Sequence, residues 1–212
     1  MSNNKFIPAL RFEWLTPLYD PILRWVMRED QFKKVLIRQA EIYPGQKVLD
    51  LGCGTATLTI MVKEAHPDAE VTGLDVDPKV LTFGQAKAMK AGVPITLDHG
   101  LSYALPYSDG AFDRVLSSLM FHHLTSQDKQ RTLIEANRVL KQDGWLCIVD
   151  FGPPVGLWAR MISPWMARLE EVGDHHKGLI PNMMQLAGFH DVSVRCRFAT
   201  VFGTLNLYVG LK

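Results

Sequence analysis

The chain has 212 residues, a net charge of +1 and 47% hydrophobic residues, which are ordinary values for one globular domain with a full core. Charged residues make up 21% and are balanced in sign, which excludes a global field that recruits nucleic acid or an anionic membrane. No apolar run approaches the ~18 residues that span a bilayer, and the first residues lack the apolar core of a signal peptide. Because three cysteines without close pairing fit a reducing compartment, we expect a cytoplasmic protein with no transmembrane segment.

Strands and helices are predicted to alternate along the first 150 residues. A helical pattern covers residues 9–42, with a break at two prolines. Strands are predicted at 46–51, 70–74, 95–97, 112–118 and 145–150. Helices are predicted up to residue 65, from Pro78 to a stop at Gly92, and from a capping box at 125–128 to residue 140. Nearly apolar early strands between helices predict a parallel sheet covered on both faces.

The pattern changes after residue 150, where two adjacent prolines break the chain. A helical stretch follows to about residue 172, and two tryptophans and two methionines, at 158, 161, 165 and 166, fall on one of its faces. Such a face predicts packing in the core or at a homodimer interface. Otherwise it would line an apolar cavity or contact a membrane peripherally. A short helix at 181–187 and two closing strands at 192–197 and 201–211 are predicted to complete the domain.

The most informative segment is the turn after the first predicted strand. An apolar run containing Asp50 leads directly into Gly52 and Gly54. Glycines allow a sharp turn and a close approach of the backbone to a ligand. Asp75 ends the second strand, at the position where a Rossmann-type fold hydrogen-bonds a ribose. The combination predicts a cofactor that contains adenosine.

Three features argue against a dinucleotide at this turn. Thr57 occupies the position of the third glycine in the dinucleotide fingerprint, Asp50 would disfavour a nearby pyrophosphate, and residues 48–62 contain no lysine or arginine. S-adenosylmethionine carries ribose hydroxyls, an amino group and a sulfonium but no phosphate, so it suits an acidic turn better. An NAD-dependent oxidoreductase is therefore the less favoured alternative.

These residues resemble the class I S-adenosylmethionine-dependent methyltransferases, within which the chain looks closest to the group of ubiquinone/menaquinone and bacterial phospholipid N-methyltransferases. The resemblance runs from about residue 19 to about residue 153. The family pattern, acid-x-Gly-x-Gly-x-Gly, is matched by Asp50, Gly52 and Gly54, with Ala56, a residue small enough to be tolerated, in place of the third glycine. Further matches are Leu74-Asp75-Val76-Asp77, Leu105-Pro106-Tyr107, Ala111-Phe112-Asp113 and His122-His123-Leu124.

The resemblance implies an α/β fold, a Rossmann-like sheet of seven mostly parallel strands with helices on both faces and the last strand inserted antiparallel. We expect a single methyltransferase domain over residues 1–212. Its parts are an N-terminal helical cap (1–42), a cofactor-binding core (43–152), an acceptor-side helical cap (153–189) and closing strands (190–212). Ligands are expected at the carboxyl ends of strands one and four.

The resemblance also implies which residues hold the cofactor. Asp75 is expected to accept hydrogen bonds from the ribose hydroxyls, with a helix-capping role as the alternative, and Asp50 to support the amino acid end. The usual adenine-contact position falls on Leu101, which cannot hydrogen-bond, so Ser102, Asp98 or the backbone alone would replace it. Tyr19 could close over the cofactor or be a plain core tyrosine. The residues predicted to bind S-adenosylmethionine are Tyr19, Asp50, Gly52, Cys53, Gly54, Asp75, Val76, Ser102 and Ser117.

Methyl transfer is an in-line displacement, so the protein supplies alignment, desolvation and, where the acceptor is protonated, a base. Four histidines could be that base, His122, His123, His175 and His176, and our candidate set is His122, His123 and His176; packed or solvent-facing rings are the alternative. No metal is expected.

The acceptor is predicted to be a small and hydrophobic molecule, such as a lipid amine, a quinone precursor or a secondary metabolite. The absence of a basic stripe argues against nucleic acid. A different class of function, a non-catalytic S-adenosylmethionine-binding partner protein, remains as the alternative.

Overall fold

The computed structural model describes residues 29–159, 161 and 173–212. The strands are β1 Lys47–Leu51, β2 Glu70–Asp75, β3 Thr96–His99, β4 Phe112–Ser118, β5 Leu140–Phe151, β6 His190–Thr200 and β7 Gly203–Leu211. The helices are α1 Glu29–Gln39, α2 Thr57–Ala65, α3 Pro78–Ala91, α4 Ser126–Val139, α5 Gly173–His176 and α6 Ile180–Leu186, and a 3₁₀ turn covers Phe121–His123. Residues 157–159 are also helical.

The seven strands form one sheet in the order β3-β2-β1-β4-β5-β7-β6. The first five strands pair in parallel, whereas β7 lies antiparallel between β5 and β6. Parallel neighbours joined by helices place their carboxyl ends at one edge of the sheet. The predicted fold class, including the last strand inserted antiparallel, is confirmed.

The helix boundaries follow local chemistry, as predicted. The side chain of Asp77 caps α3 by accepting from the backbone N–H of Lys79, Pro78 occupies the first turn, and Gly92 ends the helix in the left-handed conformation with φ +67°. The hydroxyl of Thr125 caps α4 by accepting from Asp128 N at 3.2 Å. These signals were readable from the sequence because a cap depends only on adjacent residues.

The core lies on both faces of the sheet. On one face, α1 packs Phe32 and Leu36 over β5 and β7. On the other face, α4 and α6 cover the same strands with apolar residues such as Leu133 and Met184. Two covered faces explain why the central strands read as continuous apolar runs rather than as alternating ones.

The strand ends differ from the predictions at the far side of the sheet. The strands predicted at 145–150, 192–197 and 201–211 are β5, β6 and β7, which have longer or shifted bounds. β6 is an edge strand in which half-buried and exposed residues mix, and its pairing with β7 contains register shifts. Its bounds therefore depend on the partner strand and not on its own apolar pattern.

Two predicted features fall wholly or partly outside the described residues. Tyr19, Trp165 and Met166 are not described, and of the helical pattern over 9–42 only its end, Glu29–Gln39, is. In the described part of the apolar face after residue 155, Trp158 is 56% exposed and Met161 is 66% exposed. No helix in the described ranges is both long and apolar enough to cross a membrane.

Candidate active site

The turn between β1 and α2 is fixed by the end of the neighbouring strand β2. The backbone N–H groups of Gly52 and Cys53 both donate to the carbonyl of Leu74, at 2.8 and 3.0 Å. The next glycine, Gly54, donates its N–H to Oδ2 of Asp75 at 2.8 Å. The turn therefore lies across the carboxyl ends of two adjacent parallel strands, where open α/β sheets bind ligands.

The two glycines of the turn have left-handed backbones, with φ +73° at Gly52 and +53° at Gly54, but they meet different surroundings. A Cβ on Gly52 would lie 2.3 Å from Cγ of Met120, which follows β4. A Cβ on Gly54 would meet nothing within 4 Å. Gly52 thus allows the turn to pack against the segment after β4, and Gly54 faces open space beside Asp75 that a ligand can occupy.

Ala56 stands where the resembling family has its third glycine, and its backbone is also left-handed, with φ +58° and ψ +26°. The residue is fully buried and faces Gly84 of α3, on which a Cβ would lie 3.0 Å from the Ala56 methyl group. The methyl group has room because Gly84 lacks a side chain. The conformation nevertheless costs an L-residue about 1–2 kcal/mol, so small size alone does not make alanine equivalent to glycine here.

Asp75 organises the turn with both carboxylate oxygens. Oδ2 accepts from Gly54 N, and Oδ1 accepts from Asp77 N at 3.0 Å. Burial raises the pKa of Asp75 above its ordinary value. Each oxygen retains a second lone pair that a ribose hydroxyl can use. The alternative role as the cap of α3 is wrong, because Asp77 is the cap.

Asp50 lies beneath the turn rather than in it. The residue is 1% exposed, and its Oδ2 accepts from Oγ1 of Thr59 on α2 at 2.6 Å. Burial raises the pKa of Asp50 to about 6, so the carboxylate is mostly ionised at neutral pH. Its negative charge is placed under the turn, and its support of the amino acid end of a cofactor stays a prediction.

One cation near the turn was missed by reading the sequence locally. Lys87 of α3 donates from Nζ to the backbone carbonyl of Thr55 at 3.3 Å and to the hydroxyls of Thr55 and Thr57. The absence of lysine and arginine holds for residues 48–62 of the chain, but α3 brings this ammonium alongside. These contacts tie α3 to the turn before α2 and to the start of α2.

The predicted adenine contacts lie in β3, which contains Asp98, and in the loop after it, which contains Ser102 and is bonded to α4. Oγ of Ser102 hydrogen-bonds to Oγ1 of Thr132 at 2.9 Å, and Asp98 accepts from the hydroxyl of Tyr107 at 2.8 Å. Leu101 is 40% exposed. The candidate polar groups at this loop thus have protein partners, and their contact with a cofactor stays a prediction.

The remaining predicted cofactor residues lie along the same strand ends. Cys53 packs against Gly73, and burial strongly raises the pKa of its thiol, which favours a structural role. The carbonyl of Val76 lies 3.0 Å from Nε2 of His99. The buried hydroxyl of Ser117 donates to the carbonyl of Leu51 at 2.8 Å, joining the end of β4 to the end of β1.

The candidate bases gather at the ends of β4 and β5. His122 is 5% exposed, with its ring Nδ1 2.8 Å from Oδ1 of Asp150, and its ring centroid lies 4.0 Å from that of His123. Burial and, after it, the neighbouring His122 lower the pKa of His123 to about 4. Asp150, fully buried at the end of β5, was missed although it carries the signal that singled out Asp50 and Asp75, an acid at a strand end.

The other two histidines lie on the short helix α5. Asp174 anchors this helix to the start of α4 by accepting from Oγ of Ser126 at 2.6 Å and from Nζ of Lys129 at 3.2 Å. Nδ1 of the buried His175 lies 2.9 Å from the carbonyl of Phe151. Burial lowers the pKa values of His175 and His176, so both rings favour the neutral form. No cluster of histidine, cysteine or acidic residues within the described ranges could hold a metal ion.

Comparison with known proteins agrees with this geometry. Residues 48–144 match the family described as methyltransferase domain. A demethylmenaquinone methyltransferase of Thermus thermophilus is 38% identical over 109 residues, which are 51% of this chain and 49% of that protein. A demethylmenaquinone methyltransferase of Listeria welshimeri is 32% identical over 148 residues, 68% of this chain and 61% of that protein. The chain thus spans about half to three-fifths of the length of these relatives.

Solved structures show the same fold. Phosphoethanolamine N-methyltransferase 2 of Haemonchus contortus, solved in complex with S-adenosyl-L-methionine, superposes with a TM-score of 0.72 over 86% of this chain and 52% of that one. The two sequences are 14% identical, so this likeness speaks for the fold alone.

Proposed function

Because this chain belongs to the class I S-adenosylmethionine-dependent methyltransferases, we propose that it transfers a methyl group from S-adenosylmethionine to a small acceptor. The observation that carries the proposal is the turn after β1. Its N–H groups are fixed by Leu74 and Asp75, while Gly54 leaves open space beside the Asp75 carboxylate.

The residues present fit the cofactor. Asp75 would accept from the ribose hydroxyls, and the backbone of Gly52 and Gly54 would lie along the cofactor. When bound, S-adenosylmethionine supplies an electrophilic methyl group on a positively charged sulfur. The carboxylates of Asp50 and Asp75, when ionised, attract a cation and repel a pyrophosphate, whereas the ammonium of Lys87 is hydrogen-bonded to Thr55 and Thr57. This supports a sulfonium cofactor over the alternative of NAD.

We further propose that His122 or His123 serves as the base, with His176 as the third candidate, where the acceptor must lose a proton. The proposal is supported by chain position, since His122 and His123 follow Met120, whose side chain lies against Gly52 of the glycine turn. A pair of histidines at this edge favours an enzyme over a non-catalytic binding protein.

An apolar acceptor is the finer part of the proposal. The segment that follows β5 along the chain exposes large apolar side chains, namely Val155, Leu157, Trp158 and Met161. Two relatives carry names that refer to demethylmenaquinone, an apolar molecule. Together these favour a lipid amine, a quinone precursor or a hydrophobic metabolite, reached in water or by a peripheral contact with a membrane. The same exposed face supports a homodimer as a further possibility to test.

The compartment and the extent of the domain are also proposals. All three cysteines are free thiols, and Cys53 and Cys147 are buried, which fits a reducing compartment such as the cytoplasm. The division of residues 1–212 into cap, core, acceptor-side cap and closing strands stays a prediction.

Methyl transfer to a mixed extract tests the proposal. The protein is incubated with methyl-labelled S-adenosylmethionine and a total cell extract, and the label is then partitioned between organic and aqueous phases. We expect label in the organic phase, and much less with Asp75→Ala than with the matched control Glu64→Ala, an exposed acid on α2. Label confined to the aqueous phase would contradict an apolar acceptor. No transfer to either phase would contradict methyltransferase activity.

A further inference from the structure

A buried carboxylate at the end of β5 holds the ring of His122 in one orientation. Oδ1 of Asp150 lies 2.8 Å from Nδ1 of His122 and accepts from Phe151 N at 2.7 Å. Oδ2 of Asp150 accepts from the backbone N–H of His122 at 3.4 Å. The side chain of Asp150 is 0% exposed and that of His122 is 6% exposed. The carboxylate therefore meets N–H donors of the protein rather than bulk water.

The ionisation state of Asp150 decides where the ring proton lies. Burial alone would raise the pKa of Asp150, but the neighbouring His122 and, after it, His175 outweigh burial and hold the pKa well below its usual range. An ionised carboxylate only accepts hydrogen bonds, so Nδ1 of His122 carries the proton between the two groups. In the neutral ring, the lone pair is then on Nε2.

The groups around this pair come from several elements. His123, from the same 3₁₀ turn, lies against His122 with ring centroids 4.0 Å apart and the two rings tilted by 46°, and the ring of Phe151 meets His122 edge-on at 5.1 Å. His175 of α5 is directed to the carbonyl of Phe151, which also accepts from the hydroxyl of Tyr208 at 3.3 Å. Nδ1 of His175 has this separate partner, whereas Nδ1 of His122 is hydrogen-bonded to the Asp150 carboxylate.

We infer that Asp150 is a positioning residue for methyl transfer, fixing the tautomer of His122 so that Nε2 receives the proton that the acceptor loses. The inference rests on the proposed function and selects His122 from the candidate bases. It also defines the acceptor class, namely a molecule with an O–H, N–H or C–H proton that leaves as the methyl group arrives.

The step is balanced in atoms and charge. The acceptor atom exchanges its bond to hydrogen for a bond to the methyl carbon, and the electron pair of the broken sulfur–carbon bond stays on sulfur. The proton goes to Nε2 of His122. The positive charge that disappears from sulfur thus reappears on an imidazolium beside the Asp150 carboxylate, which stabilises it.

The location of the pair supports this role. His122 follows Met120, whose side chain contacts the glycine turn at Gly52, and Ser117 joins the ends of β4 and β1. The pair therefore lies at the same sheet edge as the proposed cofactor site. A purely structural role, tying β5 to the 3₁₀ turn, is the competing explanation, and the two differ in what they predict for the ring proton.

Asp150→Asn separates the two roles, because the amide keeps the shape and an acceptor oxygen but loses the charge. We expect histidine side-chain ¹⁵N spectra to show Nδ1 of His122 protonated in the unaltered protein and a mixture of tautomers in the variant. Label transfer to the organic phase of the cell extract should fall about hundredfold, with the Kd for S-adenosylmethionine changed less than about twofold. Asp143→Asn, an exposed acid at the start of β5, is the matched control and should change none of these.

Several outcomes would overturn the inference. A ¹⁵N spectrum of the unaltered protein that shows the proton of the His122 ring on Nε2 would overturn it. This measurement needs no variant, so it decides the question even if Asp150→Asn does not fold. Transfer within about threefold of the unaltered protein in a folded Asp150→Asn would also do so. In contrast, an unaltered protein that binds no S-adenosylmethionine would overturn the proposed function itself. Asp150→Glu, which keeps the charge, should recover part of the activity if the carboxylate positions the ring.

Discussion

Three acidic side chains end strands at the candidate site, and each has a different environment. Asp50 has a hydroxyl partner and a raised pKa, Asp75 accepts from two backbone N–H groups, and Asp150 is paired with His122 and has a lowered pKa. Burial is the largest influence on all three. What differs is the partner that compensates for burial, so the same residue type serves different purposes at neighbouring strand ends.

Asp50→Asn is expected to stabilise the protein at neutral pH. The folded pKa of about 6 lies above the ordinary value of 3.8, so the folded protein binds more protons than the unfolded chain between these values. The stability cost of Asp50 therefore develops as the pH rises through this window and is complete above it. Asparagine keeps an acceptor for Thr59 without the charge, and we expect a gain of about 2 kcal/mol at neutral pH that shrinks toward pH 4.

Urea denaturation at neutral pH and near pH 4.5 measures this effect. Asp143→Asn, at an exposed position, is the control and should give no comparable gain. A gain from Asp50→Asn that is as large near pH 4.5 as at neutral pH would show that the buried charge is not its cause.

Asp75→Ala is expected to weaken S-adenosylmethionine binding at least tenfold, which corresponds to about 1.4 kcal/mol. The substitution removes the acceptor for Gly54 N and for Asp77 N as well as the expected ribose contact. Calorimetric titration measures the Kd, with Glu64→Ala as the control for a lost acid. An unchanged Kd in a folded Asp75→Ala would mean that the ribose does not bind there.

Single residues of the site were predictable to different degrees. Asp50, Asp75 and the two glycines stand in one local motif, so their neighbourhood at the strand ends followed from the sequence. The contact of Lys87 with Thr55 and the pairing of Asp150 with His122 join segments far apart in the chain, and only the folded arrangement brings them together. Local reading has no signal for such pairs.

At the scale of elements, α4 shapes the loop that follows β3. Thr132, Glu135 and Arg138 follow one another at intervals of three residues and therefore lie along one side of the helix. Glu135 accepts from Leu105 N at 2.8 Å, while Arg138 donates to the carbonyls of Leu105 and Tyr107 at 3.2 and 2.8 Å. The loop with the predicted adenine contacts therefore takes its conformation from this helix.

Arg138→Met is expected to lower the free energy of unfolding by about 1–2 kcal/mol, because carbonyls of the loop lose charged hydrogen-bond donors. We also expect a severalfold weaker affinity for S-adenosylmethionine. Arg38→Met, which replaces an exposed arginine of α1, is the control. Denaturation and calorimetry provide the two measurements, and equal effects of the two substitutions would contradict a specific role for α4.

The helices and strands, like the single residues, were predictable from the sequence to different degrees. Helices α3 and α4 were predicted closely because Pro78, Gly92 and Thr125 mark their ends with local chemistry. The bounds of β5, β6 and β7 were predicted less well, since these strands acquire their lengths from hairpin and cross-strand pairing.

At the scale of the whole molecule, the candidate site consists of two parts that lie at the same edge of the sheet. The ends of β1 and β2 form the glycine turn with its acids, and the ends of β4 and β5 carry His122 and Asp150. Contacts of Met120 with the turn and of Ser117 with Leu51 connect the two parts. The antiparallel insertion of the last strand was expected only through the family resemblance, and the strand order was not predicted, because periodicity and composition do not specify which strands become neighbours.

The two parts of the candidate site differ in how easily they are identified from the sequence. The donor side, where S-adenosylmethionine is proposed to bind, is easier to identify than the acceptor side, where the methyl acceptor is proposed to bind. The donor side is built from one short motif between residues 48 and 77 and matches a known family. The proposed acceptor side would draw on the 3₁₀ turn, β5, α5 and the exposed apolar segment after residue 155, whose residues are far apart in sequence.

Calorimetric titration of the unaltered protein with S-adenosylmethionine and, separately, with NAD tests the central claim most directly. The open space at Gly54 and the carboxylates of Asp75 and Asp50 predict that S-adenosylmethionine binds at one site per chain and that NAD gives no binding heat. Binding of NAD, or the absence of binding by S-adenosylmethionine, would contradict the account.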